Sequence, residues 1–193
     1  MPAPQFAAKE DVKAWLGITD ADEDALLDGL CTNYTSLMQK FMGRDIFQNT
    51  YSEAYSGQDT KRIALRQFPV TAVSAMTIND QPVTAAPSTM GAGFRFDDLA
   101  VYIQSVWYGV FPRGVRNITV QYTAGFSPVP VDLKQACIEQ VAYTYRSRKR
   151  IGEKSQAMNA GPATQTVSFM TDDWLLSVKA VLEANARRGV PSP

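Results

Sequence analysis

The chain contains no histidine, and this absence removes whole classes of chemistry. A Ser-His-Asp or Cys-His nucleophile, an imidazole general base and the usual zinc sites each need a ring that is not there. Charge of one sign is lacking as well: 19 Lys plus Arg balance 19 Asp plus Glu, so no global field draws the protein to nucleic acid or a membrane surface. Strongly apolar runs such as Ala100–Ile103 and Trp174–Leu176 fall far short of a bilayer span. The opening MPAPQFAAKED lacks the basic-then-apolar order of a signal peptide, which predicts a soluble protein made in the cytoplasm.

Other motifs are missing too. No GKS or GKT exists for a phosphate loop, and GAGF lacks the third glycine and following helix of a dinucleotide fingerprint. The acidic run Asp20, Asp22, Glu23 and Asp24 lacks the central glycine and terminal glutamate of a calcium loop, so it reads as helix-start chemistry. Cys31 and Cys137 are few, far apart and set in helix-like apolar patterns, which predicts two buried thiols. No catalytic residue, cofactor or metal is expected, and the chain reads as a non-enzyme. A histidine-free hydrolase would need a perturbed carboxylate or thiol in a pocket.

What is present is a globular composition: 193 residues, 45% hydrophobic and 10% aromatic, enough for one domain carrying a subdomain. From Ala8 to Gly17, the residues Val12, Trp15 and Leu16 have helical spacing and Gly17 is a natural stop. A longer helix is predicted over Asp22 to Met42. Its buried face would be Leu26, Leu27, Leu30, Cys31, Tyr34, Leu37, Met38 and Phe41, and Gly43 would end it.

Periodicity then changes from helical to alternating. Phe47, Tyr51 and Tyr55 lie at even spacing over Asp45 to Tyr55, and short strands are predicted at Arg62 to Leu65, Val73 to Ile78, Phe94 to Phe96, Val101 to Ile103 and Val115 to Thr123. Turn signals separate them at Ser56-Gly57, Asn79 to Pro82 and Ala86 to Gly93. In VQYTAGFSPVPVDLKQA, Ile118, Val120 and Tyr122 alternate up to a Gly-and-Pro break, and Asp132 starts a helix to Arg150 with Leu133, Ala136, Cys137, Val141, Ala142 and Tyr145 inward. The joint reads as stiff.

Residues 151–170 are polar and small around Gly161-Pro162, predicting a loop or arm with a short strand at Thr166 to Phe169. Thr171 reads as the N-cap of a last helix bearing Trp174, Leu175, Val178, Val181 and Leu182, and RRGVPSP should fray. The expected fold is α+β, mainly a bundle of about four helices with an inserted small antiparallel β subdomain. Residues 1–44 would pack with 127–193 as one bundle around the insertion 45–126.

Two features stand out as candidate surfaces. The cluster Arg146, Arg148, Lys149, Arg150 and Lys154, opposed only by Glu153, either relieves the dipole at a helix end or contacts phosphate. Trp107 and Tyr108 form an aromatic pair that reads as core or as a hairpin tip meeting a partner.

The order DVKAWLGITDADEDALLDGL, FMGRDIF, YSEAYSG, FPVTAVSAMTIND and VQYTAGFSPVPVDLKQACIEQVAYTYRSR resembles the head-tail connector (adaptor) family of tailed bacteriophages over roughly Val12 to Arg148. A weaker echo follows in TVSFMTDDWLLSVKAVLEANARR. The departures are Ala7 and Ala8 where a capping Thr or Ser is common, Gly17 near a frequent arginine, and the loop Ala85 to Gly93.

The resemblance implies a structural virion protein at the head-tail interface, made in the host bacterial cytoplasm. It would form a ring of about twelve copies beneath the portal protein, following the portal's cyclic symmetry. That ring would dock the next neck, stopper or tail protein and pass DNA through its channel, touching the genome non-specifically if at all. The stiff joint would hold the β subdomain at a fixed angle. Arg146 to Lys154 would face either the DNA channel or a neighbour's Asp20, Asp22, Glu23 and Asp24. Thr166, Phe169, Trp174, Arg187 and Arg188 would reach the portal, ordering on binding. Competing readings are another neck or tail-completion protein and, from a different class, a DNA-binding packaging factor with salt-sensitive binding.

Overall fold

The computed structural model describes residues 4–89, 91–104, 106, 109–148, 155–160, 163–168 and 174–186, the stretches 155–160 and 163–168 by their backbone. In chain order the elements are α1 (Lys9–Leu16), α2 (Asp24–Met42), β1 (Asn49–Gly57), β2 (Arg62–Ala64), β3 (Val70–Ile78), β4 (Gln81–Val83), β5 (Gly93–Phe96), β6 (Ala100–Gln104), β7 (Gly114–Ala124), α3 (Val131–Ser147), β8 (Ser155–Ala160), β9 (Ala163–Ser168) and α4 (Leu176–Asn185). The class is α+β, but helix and strand are nearly equal in extent, so the emphasis on a mainly helical bundle is corrected. Two compact units divide the chain: one joins residues 1–42 to 130–186, and the other holds 43–129.

The helical unit buries narrow stripes. On α2 the fully covered positions are Leu27, Cys31, Thr35, Met38 and Met42, spaced by three or four residues. Leu26, Leu37 and Phe41, expected inward, are 39–43% exposed, because a residue one position off the stripe is turned about 100° away. The helix starts at Asp24, so Asp22 and Glu23 precede the first turn. Thr35 joins the core because its hydroxyl accepts the Phe6 amide at 3.0 Å. Ala8 has no side chain able to cap α1; Asp11 reaches back instead, accepting the Ala8 amide at 3.1 Å. Gly17, at φ 72°, ends α1 in the left-handed conformation.

On α3 the covered residues include Leu133, Cys137, Val141 and the polar Gln140. Gln140 Oε1 accepts the Leu175 amide at 3.1 Å, so a side chain from α3 caps α4. α4 starts at Leu176, and Val178 and Leu182 are its buried pair; Thr171, expected as its N-cap, lies outside the described residues. Trp174 packs edge-on against Tyr34 and Phe41, each at 5.9 Å between ring centroids. Within 151–170, expected as a loop or arm, β8 and β9 pair as an antiparallel ribbon from Ser155↔Ser168 to Ala160↔Ala163.

In the β unit, one antiparallel sheet runs β1-β7-β3-β4 and a second β2-β6-β5. Phe94 bridges them: its amide donates to Thr84 O at 3.0 Å and its carbonyl accepts the Ala86 amide at 2.9 Å. Inward residues of β7, namely Ile118, Val120, Tyr122 and Ala124, are fully covered and meet Met76, Ile78, Val101 and Phe111. That alternation is the predicted one. Pro82, expected in a turn, sits in the short β4, where an edge position tolerates its missing donor.

The break after β7 is pinned within the β unit. Gly125 has φ 109°, and a Cβ there would lie 2.5 Å from Phe47 O, so only glycine fits. Its amide donates to Pro69 O at 3.0 Å, and the Phe126 amide donates to Ile46 O at 2.8 Å. The buried Arg44 completes this corner: Nη1 donates to Phe68 O at 2.7 Å and the guanidinium lies 3.9 Å above the Phe68 ring.

Candidate functional site

Among the described residues of the helical unit, ion pairs join α1 to the start of α2, α1 to the first turn of α3, and the residue before α2 to the end of α3. Lys9 and Lys13, one helical turn apart on α1, share one face and close on the two oxygens of Asp24 at 2.8 and 2.6 Å. Hydrogen bonds from Lys13 and then Lys9 hold the Asp24 carboxyl below the usual carboxylate range, and the Asp24 bond raises Lys9. Asp11 pairs with Lys134 of α3 at 2.9 Å, and that bond lowers its pKa against the opposing cost of burial.

Glu23 is the point where the two predicted charged clusters meet inside one chain. It accepts hydrogen bonds from the Tyr145 hydroxyl and the Arg148 guanidinium. Arg148 also lies 3.9 Å above the Tyr145 ring and donates to Tyr145 O at 2.9 Å. Both ionic side chains are about a third exposed, so this pair contributes on the order of 1 kcal/mol or less.

Of the remaining candidates, Asp20, Asp22 and Arg146 are exposed, and Trp174 is half-buried on α2. Thr166 lies in β9. Lys149, Arg150, Lys154, Phe169, Arg187, Arg188, Trp107 and Tyr108 lie outside the described residues. The sequence reading overlooked Lys9, Lys13, Asp11, Lys134 and Tyr145 as partners in these pairings. For the two α1 lysines a signal existed, their four-residue spacing.

Chemistry of a catalytic kind has little support here. Cys31 and Cys137 are buried free thiols pushed up to about 12 and about 11, chiefly by desolvation. In the β unit, Glu53 accepts hydrogen bonds from Tyr55 and, at 2.7 Å, Tyr122. Burial raises both phenols, so they stay protonated donors that tie β1 to β7. Among the described residues no group of three or more Cys, Asp or Glu could hold a metal ion. Among the described residues no helix is long and apolar enough to cross a membrane.

Some apolar side chains are exposed as well. Trp15 is 54% exposed, Leu176 71% and Val115 87%. Val115 borders an open depression lined by Ser56, Gly57, Gln58, Asp59, Arg113 and Gly114. Each of the three is a single exposed side chain, as is common on folded proteins.

Comparison with known proteins agrees with a structural role. No curated protein matches the chain. Among solved structures, a chain in the neck of an empty gene transfer agent (GTA) particle, computed with C6 symmetry, is 20% identical with a TM-score of 0.59, over 100% of this chain and 96% of that one. A chain from the neck of the native GTA particle, computed with C12 symmetry, gives 20% and 0.56 over the same shares. One from the virion of the native particle gives 20% and 0.57, over 96% of this chain and 91% of that one. The profile of the family described as "Head completion protein" matches residues 5–184. The protein thus belongs to the head completion protein family, in keeping with the head-tail connector resemblance of its sequence.

Proposed function

We propose that this protein is a structural component of the virion neck, a head-tail connector that assembles as a ring beneath the portal and offers a docking surface to the next neck or tail protein. The observation that carries this reading is the family match spanning nearly the whole chain, residues 5–184. The likeness to neck chains over at least nine-tenths of both partners adds fold support. Cyclic symmetry of order twelve in one of those necks motivates a ring of about twelve copies around a DNA channel. Nothing in the balanced charge, 19 against 19, calls for tight DNA binding.

The exposed Arg146 and the exposed Asp20 and Asp22 are the charges best placed to act between subunits, since Glu23 and Asp24 are engaged within their own chain. The alternative of a DNA-binding packaging factor is weakened because Arg148 is held by Glu23 and Tyr145. Withholding the chain from an infection should let filled heads accumulate without tails, and adding purified protein to those heads should restore tail attachment. Heads that never fill, with a protein that binds DNA in a salt-sensitive way, would favour the packaging reading.

A further inference from the structure

Strand edges are where a β protein advertises unpaired backbone, and this chain protects its edges unevenly. Of the four edge strands in the two sheets of the β unit, β2 and β4 are three residues long, and β4 also carries Pro82. β5, of four residues, is partly covered by the Ala85↔Phe94 bridge. Shortness, proline and cover are the usual ways of blunting an edge. β1 has none of these three protections; its one irregularity, a register shift between Tyr55 and Gly57, leaves Asn49–Tyr55 in regular pairing. It runs nine residues, Asn49–Gly57, and pairs on one side only, with β7. Its one charged residue, Glu53, is turned to Tyr122 and Tyr55, while Asn49, Thr50 and Ser52 are exposed and neutral.

The same chain carries a second open element. β8 and β9 form a sheet of two strands that pair only with each other. A two-stranded ribbon is marginal alone in water and gains stability by joining a larger sheet. From Ser155 to Ser168 it has no charged residue, so no like charge opposes its approach to a neutral edge. Its six-residue strands fit within the regular stretch Asn49–Tyr55 of β1.

From this juxtaposition we infer that the open edge of β1 accepts the β8–β9 ribbon of a second copy, extending its sheet to six strands. Each chain then offers one donor ribbon and one acceptor edge. Such a heterologous contact repeats head to tail and closes into a ring when the rotation permits. Main-chain hydrogen bonds supply the affinity, as in strand addition generally. The inference rests on the ring proposed above and names its contact.

The test uses the full-length protein, free and in assembled particles, followed by amide hydrogen exchange. Segments 49–57 and 155–168 should each slow by about ten-fold or more on assembly, because outward amides of β1 and the ribbon gain partners. Exchange in 49–57 that is unchanged in particles containing the chain would overturn the strand contact and leave the neck assignment standing. Failure of the chain to enter particles would instead count against the neck assignment and, with it, the contact. A variant with residues 155–168 replaced by a Gly-Ser linker should stay folded and monomeric but lose ring assembly. If it still assembles and still protects 49–57, another protein's strand occupies that edge and the second-copy contact is wrong.

Discussion

Single residues set the response of this protein to pH. Asp11 and Asp24 have carboxyls held below their ordinary values by Lys134 and by Lys13 with Lys9. A depressed carboxyl contributes stability that is present above its unfolded pKa, about 4, and is lost as pH falls through the lower folded value. Lys9 is raised, so its share persists until pH climbs past its unfolded value, well into the alkaline range. No histidine exists to titrate between these limits, and both thiols titrate far above neutrality. Urea unfolding should therefore give a nearly flat midpoint from about pH 5 to 8 and a fall below about pH 4. Asp24→Asn should flatten that acid limb. A marked slope near pH 6.5 in the parent protein would contradict the assignment.

At the scale of elements, one side chain ties three segments of the β unit together. Asn117 Oδ1 accepts the Gly57 amide at 3.0 Å, while Nδ2 donates to Pro112 O at 3.0 Å and Asn79 Oδ1 at 3.2 Å. Of its partners, Asn79 is held at positive φ, and the neighbouring Arg116, at φ 50°, donates its amide to Ser56 Oγ at 3.0 Å. Asn117→Ala should cost about 2 kcal/mol in denaturant unfolding, since a partly buried donor and acceptor lose their partner. The exposed Gln121→Ala should stay within about 0.5 kcal/mol. Strands β3 and β7 were legible in the sequence because one buried face enforces alternation, as in Ile118, Val120 and Tyr122. β4 was hidden by Pro82, which reads as a turn, and the β8–β9 ribbon by small uncharged residues with no apolar rhythm. The support of the α4 start was not legible, because the side chain that accepts the Leu175 amide is Gln140, 35 residues away. Glu23 meets Tyr145 and Arg148 across separations of 122 and 125 residues, which no local pattern encodes.

For the whole molecule, the sequence and the fold point to one kind of work. The chain has no histidine, its two thiols are buried, and the phenols of Tyr55 and Tyr122 serve as structural donors. Its open strand edge is a resource for assembly. Membership of the head completion family was legible in the order of its segments, because that order runs through most of the chain. The strand edge behind the proposed contact between copies was not, since such an edge becomes visible only once the sheets are known. The most direct measurement mixes the protein with the portal ring of the same phage, sediments the mixture and images it by negative-stain electron microscopy. The account expects a closed collar of added density on one end of the portal, with cyclic symmetry matching the portal's. Bare portal rings at micromolar protein, with the chain left in the supernatant, would contradict it.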